Sequence, residues 1–295
     1  MNWLWEFPQI DSRTLREISR TIDLQYRTFS RTYGDAVEAF FRPLLDFLLW
    51  FETLLIQSPW WLVLAVAALI VWFASRSVAI TVGSVVALFL IGLLGMWEDT
   101  MRTLAIILVC TSLAVAIGVP VGIAMSRSDR LQSVINPVLD VMQTMPSFVY
   151  LIPIVMLLGI GIIPGVIVVV VYAMPPVIRL TNLGIRLVDR EVLEAADAFG
   201  SSVWRRLTEV QLPLALPTIM AGINQTIMMA LAMVVVASLI GVRGLGQPVL
   251  QAITNQYFTQ GLLNGLAIVA IAIVFDRTSQ AFGHRLQRHR ASAGE

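Results

Sequence analysis

The sequence predicts an all-α, polytopic membrane protein with about seven spanning helices. Composition, long apolar runs and the placement of charge between those runs lead to this reading. Of 295 residues, 57% are hydrophobic and 13% are charged, about half the charged share of an ordinary soluble domain. A chain this poor in charge finds its apolar solvent in a bilayer. Apolar runs fall near 59–74, 78–96, 103–124, 146–160, 163–180, 217–241 and 261–282, and a spanning helix needs roughly 20 such residues. The fourth run is short, but it can begin earlier, near Val138.

Taken in order, residues 1–57 form an amphipathic N-terminal tail in which arginines alternate with a slight excess of acids. Its end, 40–56, is rich in Phe, Leu and Trp with few charges. That pattern fits a helix in the interface plane or one packed on other protein segments. Residues 58–97 read as an accessory transmembrane hairpin turning at Arg76, with Trp60, Trp61 and Trp97 at run ends, where aromatic belts form. Residues 98–283 form the membrane core, and 284–295 a basic tail carrying Arg285, Arg288, Arg290, His284 and His289. The positive-inside rule places that tail in the cytoplasm. Counting back puts the loop at 182–216 in the cytoplasm and the N-terminus outside. Arg102 and Arg243 fall on the outer side and run against the rule. The pairs Gly118/Gly122, Gly161/Gly165 and Gly261/Gly265 have the spacing that lets membrane helices approach closely.

The 182–216 loop is the one long charge-dense segment of the second half. Val192, Ala195, Ala196 and Phe199 recur at helical spacing, with Asp189, Glu191, Glu194 and Asp197 on the other faces. Gly200 stands where a left-handed C-cap belongs. Ser201 or Ser202 can cap a second helix carrying Val203, Leu207 and Val210, and Pro213 and Pro217 mark re-entry into an apolar run. The product is a helix–Gly–helix hairpin whose small alanines permit close approach by another protein.

Several functions are disfavoured. Net charge is +1, so nothing points to nucleic acid. Every basic residue is an arginine, so a Walker-type Gly-x-x-x-x-Gly-Lys loop is absent and ATP must be hydrolysed by another chain. His-Glu-x-x-His is absent too, which disfavours a membrane metalloenzyme. The lone Cys110 lies in an apolar run and reads as a packed small residue.

Polar residues inside apolar runs are costly and point to function. Asp140 and Gln143 share a helix face, and Asp140 is a candidate partner of Arg179 beyond the Pro175–Pro176 break. Asn224, Gln225 and Thr226 are consecutive in the sixth run, so at least one faces protein or a water path. Ser147, Phe148, Tyr150 and Tyr172 are candidates for lining the same path, with core packing the plainer reading for the aromatics. Gly241, Gly244 and Gly246 lie between spans and read as an outer hinge or gate rather than a phosphate loop.

Glu194, Ala195, Ala196 and Gly200, followed by Val210, Leu212 and Pro213, resemble the EAA loop of ABC importer permeases. The segments starting at Met142, Pro175, Leu212 and Gly244 resemble those of ProW-type permeases, which serve ABC importers of glycine betaine, proline betaine and choline. Arg243 stands where that family pattern has a small residue. The resemblance implies a type I importer core, a homodimer, two cytoplasmic ATPase subunits and a substrate-binding protein outside. It implies no cofactor on this chain, ATP and Mg belonging to the partner ATPase. Rivals are the same machine with another cargo, such as an amino acid or an oxyanion, a channel or scaffold needing no ATPase, and an intramembrane enzyme.

Overall fold

The computed structural model describes residues 10–291, the side chains of His284 and of 286–291 excepted. The first nine residues, residues 292–295 and the side chains of Arg288, His289 and Arg290 therefore lie outside the described residues. The chain is helical throughout: α1 (Ser12–Gln57), α2 (Trp60–Ser75), α3 (Val78–Leu93), α4 (Trp97–Arg127), α5 (Asp129–Thr144), α6 (Ser147–Leu158), α7 (Ile162–Arg186), α8 (Arg190–Ala198), a single turn α9 (Val203–Arg205), α10 (Leu212–Ala237), α11 (Gly246–Asn255) and α12 (Phe258–Ala291).

Four helical segments are long and apolar enough to cross a membrane: Trp97–Arg127, Ile162–Arg186, Val203–Ile240 and Phe258–Gly283. The number rises to six if each of two bent pairs, α1 with α2 and α5 with α6, is one span. The run left over, 78–96, is α3, an apolar helix of 16 residues. Its rise of about 24 Å falls short of a hydrocarbon core of about 30 Å. The fourth expected span is corrected most. At Met145 the backbone turns extended (φ −72°, ψ 128°), and Pro146 starts a new helix at 102° to the last. A proline disfavours the α region in the residue before it, so one apolar run becomes two short helices.

α7 lies at the centre, packed on α4 and α10, with 67% of its apolar window buried against 17% for α12. The core joins fully buried Ala105, Cys110 and Ala114 of α4, Val168, Val169 and Ala173 of α7, and Ala230, Met233 and Ala237 of α10. Gly118 and Gly122 face α7 with no room for a side chain, as their spacing suggests. Of the other glycine pairs, Gly165 abuts Val242 and Gly261 abuts Ala252, whereas a Cβ on Gly265 would meet nothing within 4 Å.

The N-terminal segment is a 46-residue helix docked on the core. Leu48 is fully buried, and Leu44, Phe51 and Leu55 pack beside it, so 40–56 follows the protein-packed alternative. Earlier in α1, Tyr26 Oη donates to the carbonyl of Pro153, and Ser30 Oγ donates to that of Leu157 at 2.9 Å. The Leu157 carbonyl is one of the last four of α6, which have no partner within that helix, and Ser30 supplies one; Tyr26 adds a second link one turn earlier. α2 and α3 pair with each other and lean on α12 at the periphery.

Candidate coupling and translocation site

The charged loop folds as a capped hairpin. Asp189 accepts the N–H of Glu191 and starts α8. At the other end Gly200 N–H bonds Asp197 O and Ser201 N–H bonds Ala196 O, with Gly200 at φ +77°. This paired closure needs a left-handed residue after the cap. Of the two candidate caps it is Ser202 whose hydroxyl accepts the N–H of Arg205. Arg206 reaches back to Asp197 at 2.5 Å and ties the two arms together.

The second arm differs from the expectation of a separate helix ending before Pro213. The chain continues as helix from Val203 to Ile240, through a π-helical turn at Arg206–Gln211 in which Leu212 N–H bonds Leu207 O, five residues back. Pro213 has no N–H to give and its ring would crowd the preceding turn. The wider turn just before it absorbs that mismatch, and such turns recur at functional sites. The arm is therefore the rigid extension of a span. Leu207 is buried with Ile185, Ala215 and Ile219, which roots the arm between α7 and α10.

The expected coupling residues divide by position. Glu194, Ala195 and Gly200 are exposed and Ala196 is half-buried on α8, while Val210, Leu212 and Pro213 are half-buried at the root. Beside them Phe199 is 92% exposed and Trp204 is 69% exposed. Trp204 was not among the residues marked by spacing. The signal was available, since a tryptophan in a polar loop has no core of its own to enter. Aromatic side chains of this kind anchor protein interfaces.

The polar residues expected along a path fall into separate groups. Arg179 Nη2 donates to Asp140 Oδ1, linking α7 to α5. Gln143 and Phe148 are exposed on α5 and α6. Tyr150 is buried, donates its hydroxyl to Met142 O, and meets Tyr172 edge-on with ring centroids 5.5 Å apart. Ser147 is half-buried beside Phe148. Asn224 is turned toward α12: its Nδ2 donates to Asp276 Oδ1 at 2.9 Å, and its Oδ1 accepts Ser279 Oγ at 2.5 Å. Gln225 is exposed and Thr226 fully buried. Sequence reading passed over Asp276, because a contact across 52 positions leaves no local pattern. Reversing either Asp140 or Arg179 is expected to lower uptake and the double reversal to restore most of it. Equal loss in the swapped variant would refute a working ion pair.

At the opposite end of the core, the glycine segment is wedged in place. Thr103 Oγ1 accepts Leu245 N–H at 2.9 Å and donates to Asp99 O. Gly244 has φ +135°, and a Cβ there would lie 2.6 Å from Thr103 Oγ1. A Cβ on Gly246 would lie 2.9 Å from Val235 Cα. Gly241 is exposed at φ +89°. Nearby, Arg102 is held by Glu52, Glu98 and Asp99. Three acids thus surround the one arginine at this end of α4.

The chain is a bundle of apolar helices with one span extended into a capped, exposed charged hairpin. The chain belongs to the family described as binding-protein-dependent transport system inner membrane component, whose profile matches residues 114–288. It is 47% identical over 257 residues to the glycine betaine/proline betaine transport system permease protein ProW of Escherichia coli (strain K12), covering 84% of this chain and 72% of that protein. It is 53% identical over 201 residues to the glycine betaine/carnitine transport permease protein GbuB of Listeria monocytogenes serotype 1/2a (strain 10403S), covering 68% and 71%. Among solved structures, an inward-facing conformation of the MetNI methionine ABC transporter aligns with TM-score 0.57 at 19% identity, over 63% of this chain and 93% of that one. At that identity the likeness speaks for the fold alone.

Proposed function

We propose that this chain is the transmembrane subunit of an ATP-driven type I importer that moves a quaternary ammonium solute inward across the cytoplasmic membrane by alternating access. The observation that carries the coupling role is the hairpin itself. It presents Glu194, Phe199 and Trp204 outward while its second arm is continuous with a core span. Motion imposed on the hairpin by a partner therefore passes directly into α10. Two permease copies, two cytoplasmic ATPases carrying ATP and Mg, and an external substrate-binding protein complete the machine. The C-terminus and the hairpin lie inside and the N-terminus outside, a reading supported by the arginine-rich C-terminal end.

The cargo class is supported by the relatives' names, which specify glycine betaine, proline betaine and carnitine. Asp140, Gln143 and Phe148 are exposed on α5 and α6 and are assigned to the path between copies, with Tyr150 and Tyr172 as its supporting wall. Asn224 is assigned to fixing α12 on α10, and Gln225 to the exposed face of α10. Gly241, Gly244 and Gly246 are assigned to the outer gate, a reading supported by the Leu245–Thr103 hydrogen bond and by the close contacts of Gly244 and Gly246. Uptake of labelled glycine betaine, proline betaine, choline and methionine by cells producing the full system tests the cargo. Accumulation of a quaternary amine is expected. Accumulation of methionine alone would keep the architecture and replace the cargo.

A further inference from the structure

The accessory hairpin does not close onto the core. Between the end of α1, the hairpin, α4 and α12 lies a cleft of about 470 Å³, with Leu55, Ala67, Ile70, Leu108, Ile271 and Phe275 among its walls. Its polar lining residues are Ser58 and Thr278, and both hydroxyls are already spent on their own helices, donating at 2.6 Å to Leu54 O and Val274 O. Such walls offer ordered water too few partners. Ile70 and Leu108 in its walls are exposed, so the cleft opens to the surroundings, which for a chain in a bilayer are acyl chains. A flexible apolar chain fits such walls.

One end of the cleft is basic. One turn beyond Ile70 and Val71, Arg285 of α12 donates to Phe73 O of α2, and the guanidinium of Arg76 lies 5.2 Å from the centre of the Phe73 ring. Arg76 is also held in the left-handed region (φ 51°) as the C-cap of α2. Among the described residues neither arginine pairs with a carboxylate. Across the bundle, Arg102 is surrounded by three acids, so the two ends of this region differ in sign.

We propose that the cleft binds a membrane phospholipid with an anionic headgroup, its acyl chain between α2 and α12 and its phosphate against Arg76 and Arg285. The lipid acts as a filler that seats the accessory hairpin on the core. The proposal needs only that the chain lies in a bilayer and is independent of the cargo.

The full chain, reconstituted in nanodiscs of mixed phosphatidylglycerol and phosphatidylethanolamine and re-extracted in mild detergent, is read by native mass spectrometry. One retained phospholipid per chain is expected, enriched in phosphatidylglycerol by about five-fold for each arginine. Arg76→Gln and Arg285→Gln each remove about five-fold of that enrichment. Ala67→Phe, which places a ring across the middle of the cleft, abolishes retention. If Ala67→Phe does not reach the membrane, Thr278→Trp obstructs the same cleft from α12. Lipid retained by the filled variants, or retained without headgroup preference, overturns the assignment.

Discussion

Gly200→Val is expected to leave the protein inserted and folded but to reduce uptake at least ten-fold. A Cβ on Gly200 would meet nothing within 4 Å, so space is not the constraint; the backbone is, at φ +77°. A left-handed conformation costs an ordinary residue roughly 1–2 kcal/mol, and a β-branched one more. The chain relieves that strain by reopening the closure made by Gly200 and Ser201 on Asp197 and Ala196. Phe199 and Ser202 flank this turn, so the aromatic anchor and the start of the second arm both move. Glu194→Lys should give the same phenotype by another route. Glu194 is exposed with no ion pair among the described residues, so its reversal spares the fold and changes only the surface presented to a partner. A lost contact worth about 1.4 kcal/mol is a ten-fold loss. Membrane level by immunoblot, beside uptake, checks both. Normal uptake in both variants would remove the hairpin from the coupling path.

Gly122→Val is expected to be the most damaging single change to the fold. A Cβ there would sit 2.7 Å from Ile178 O and 2.6 Å from Thr181 Cβ. The carbonyl belongs to helical backbone and cannot rotate aside, so α4 and α7 must separate. Overpacking costs typically 1–3 kcal/mol, and a backbone obstacle puts this case at about 3 or above. A drop in Tm of roughly 5–10 °C follows for a chain of this size. Gly83→Val is the matched control: it too lies in an apolar helix, but its added Cβ meets nothing within 4 Å. Equal Tm values for the two variants would mean that the α4–α7 contact does not govern stability.

These two glycines show what sequence alone can and cannot reach. The helical stripe, the Gly200 stop and the serine cap all lie within a few residues of one another, and short-range stereochemistry fixes them. The spans α4, α7, α10 and α12 are legible because hydropathy counts residues. It does not report direction, so the run containing Pro146 reads as one span although it bends by 102°. The π turn at Arg206–Gln211 is hidden for a related reason: Pro213 predicts a break, and only the geometry reveals a helix that widens instead. Gly118 and Gly122 carry the same motif as Gly261 and Gly265, yet only the first pair is fully used, because a partner helix must be present to use it. The Asn224–Asp276 contact and the seating of Ser30 on Leu157 join distant segments and leave no trace in spacing.

In the proposed cycle, ATP hydrolysed on a partner drives cargo through this chain by way of the 182–216 hairpin. Its most direct test is uptake of labelled glycine betaine into proteoliposomes holding the permease and its ATPase, with the binding protein added outside. Uptake is expected to require ATP, the ATPase and the binding protein together, and to be lost with Glu194→Lys. Uptake that proceeds equally without ATP or without the ATPase would contradict it and leave a passive channel in its place.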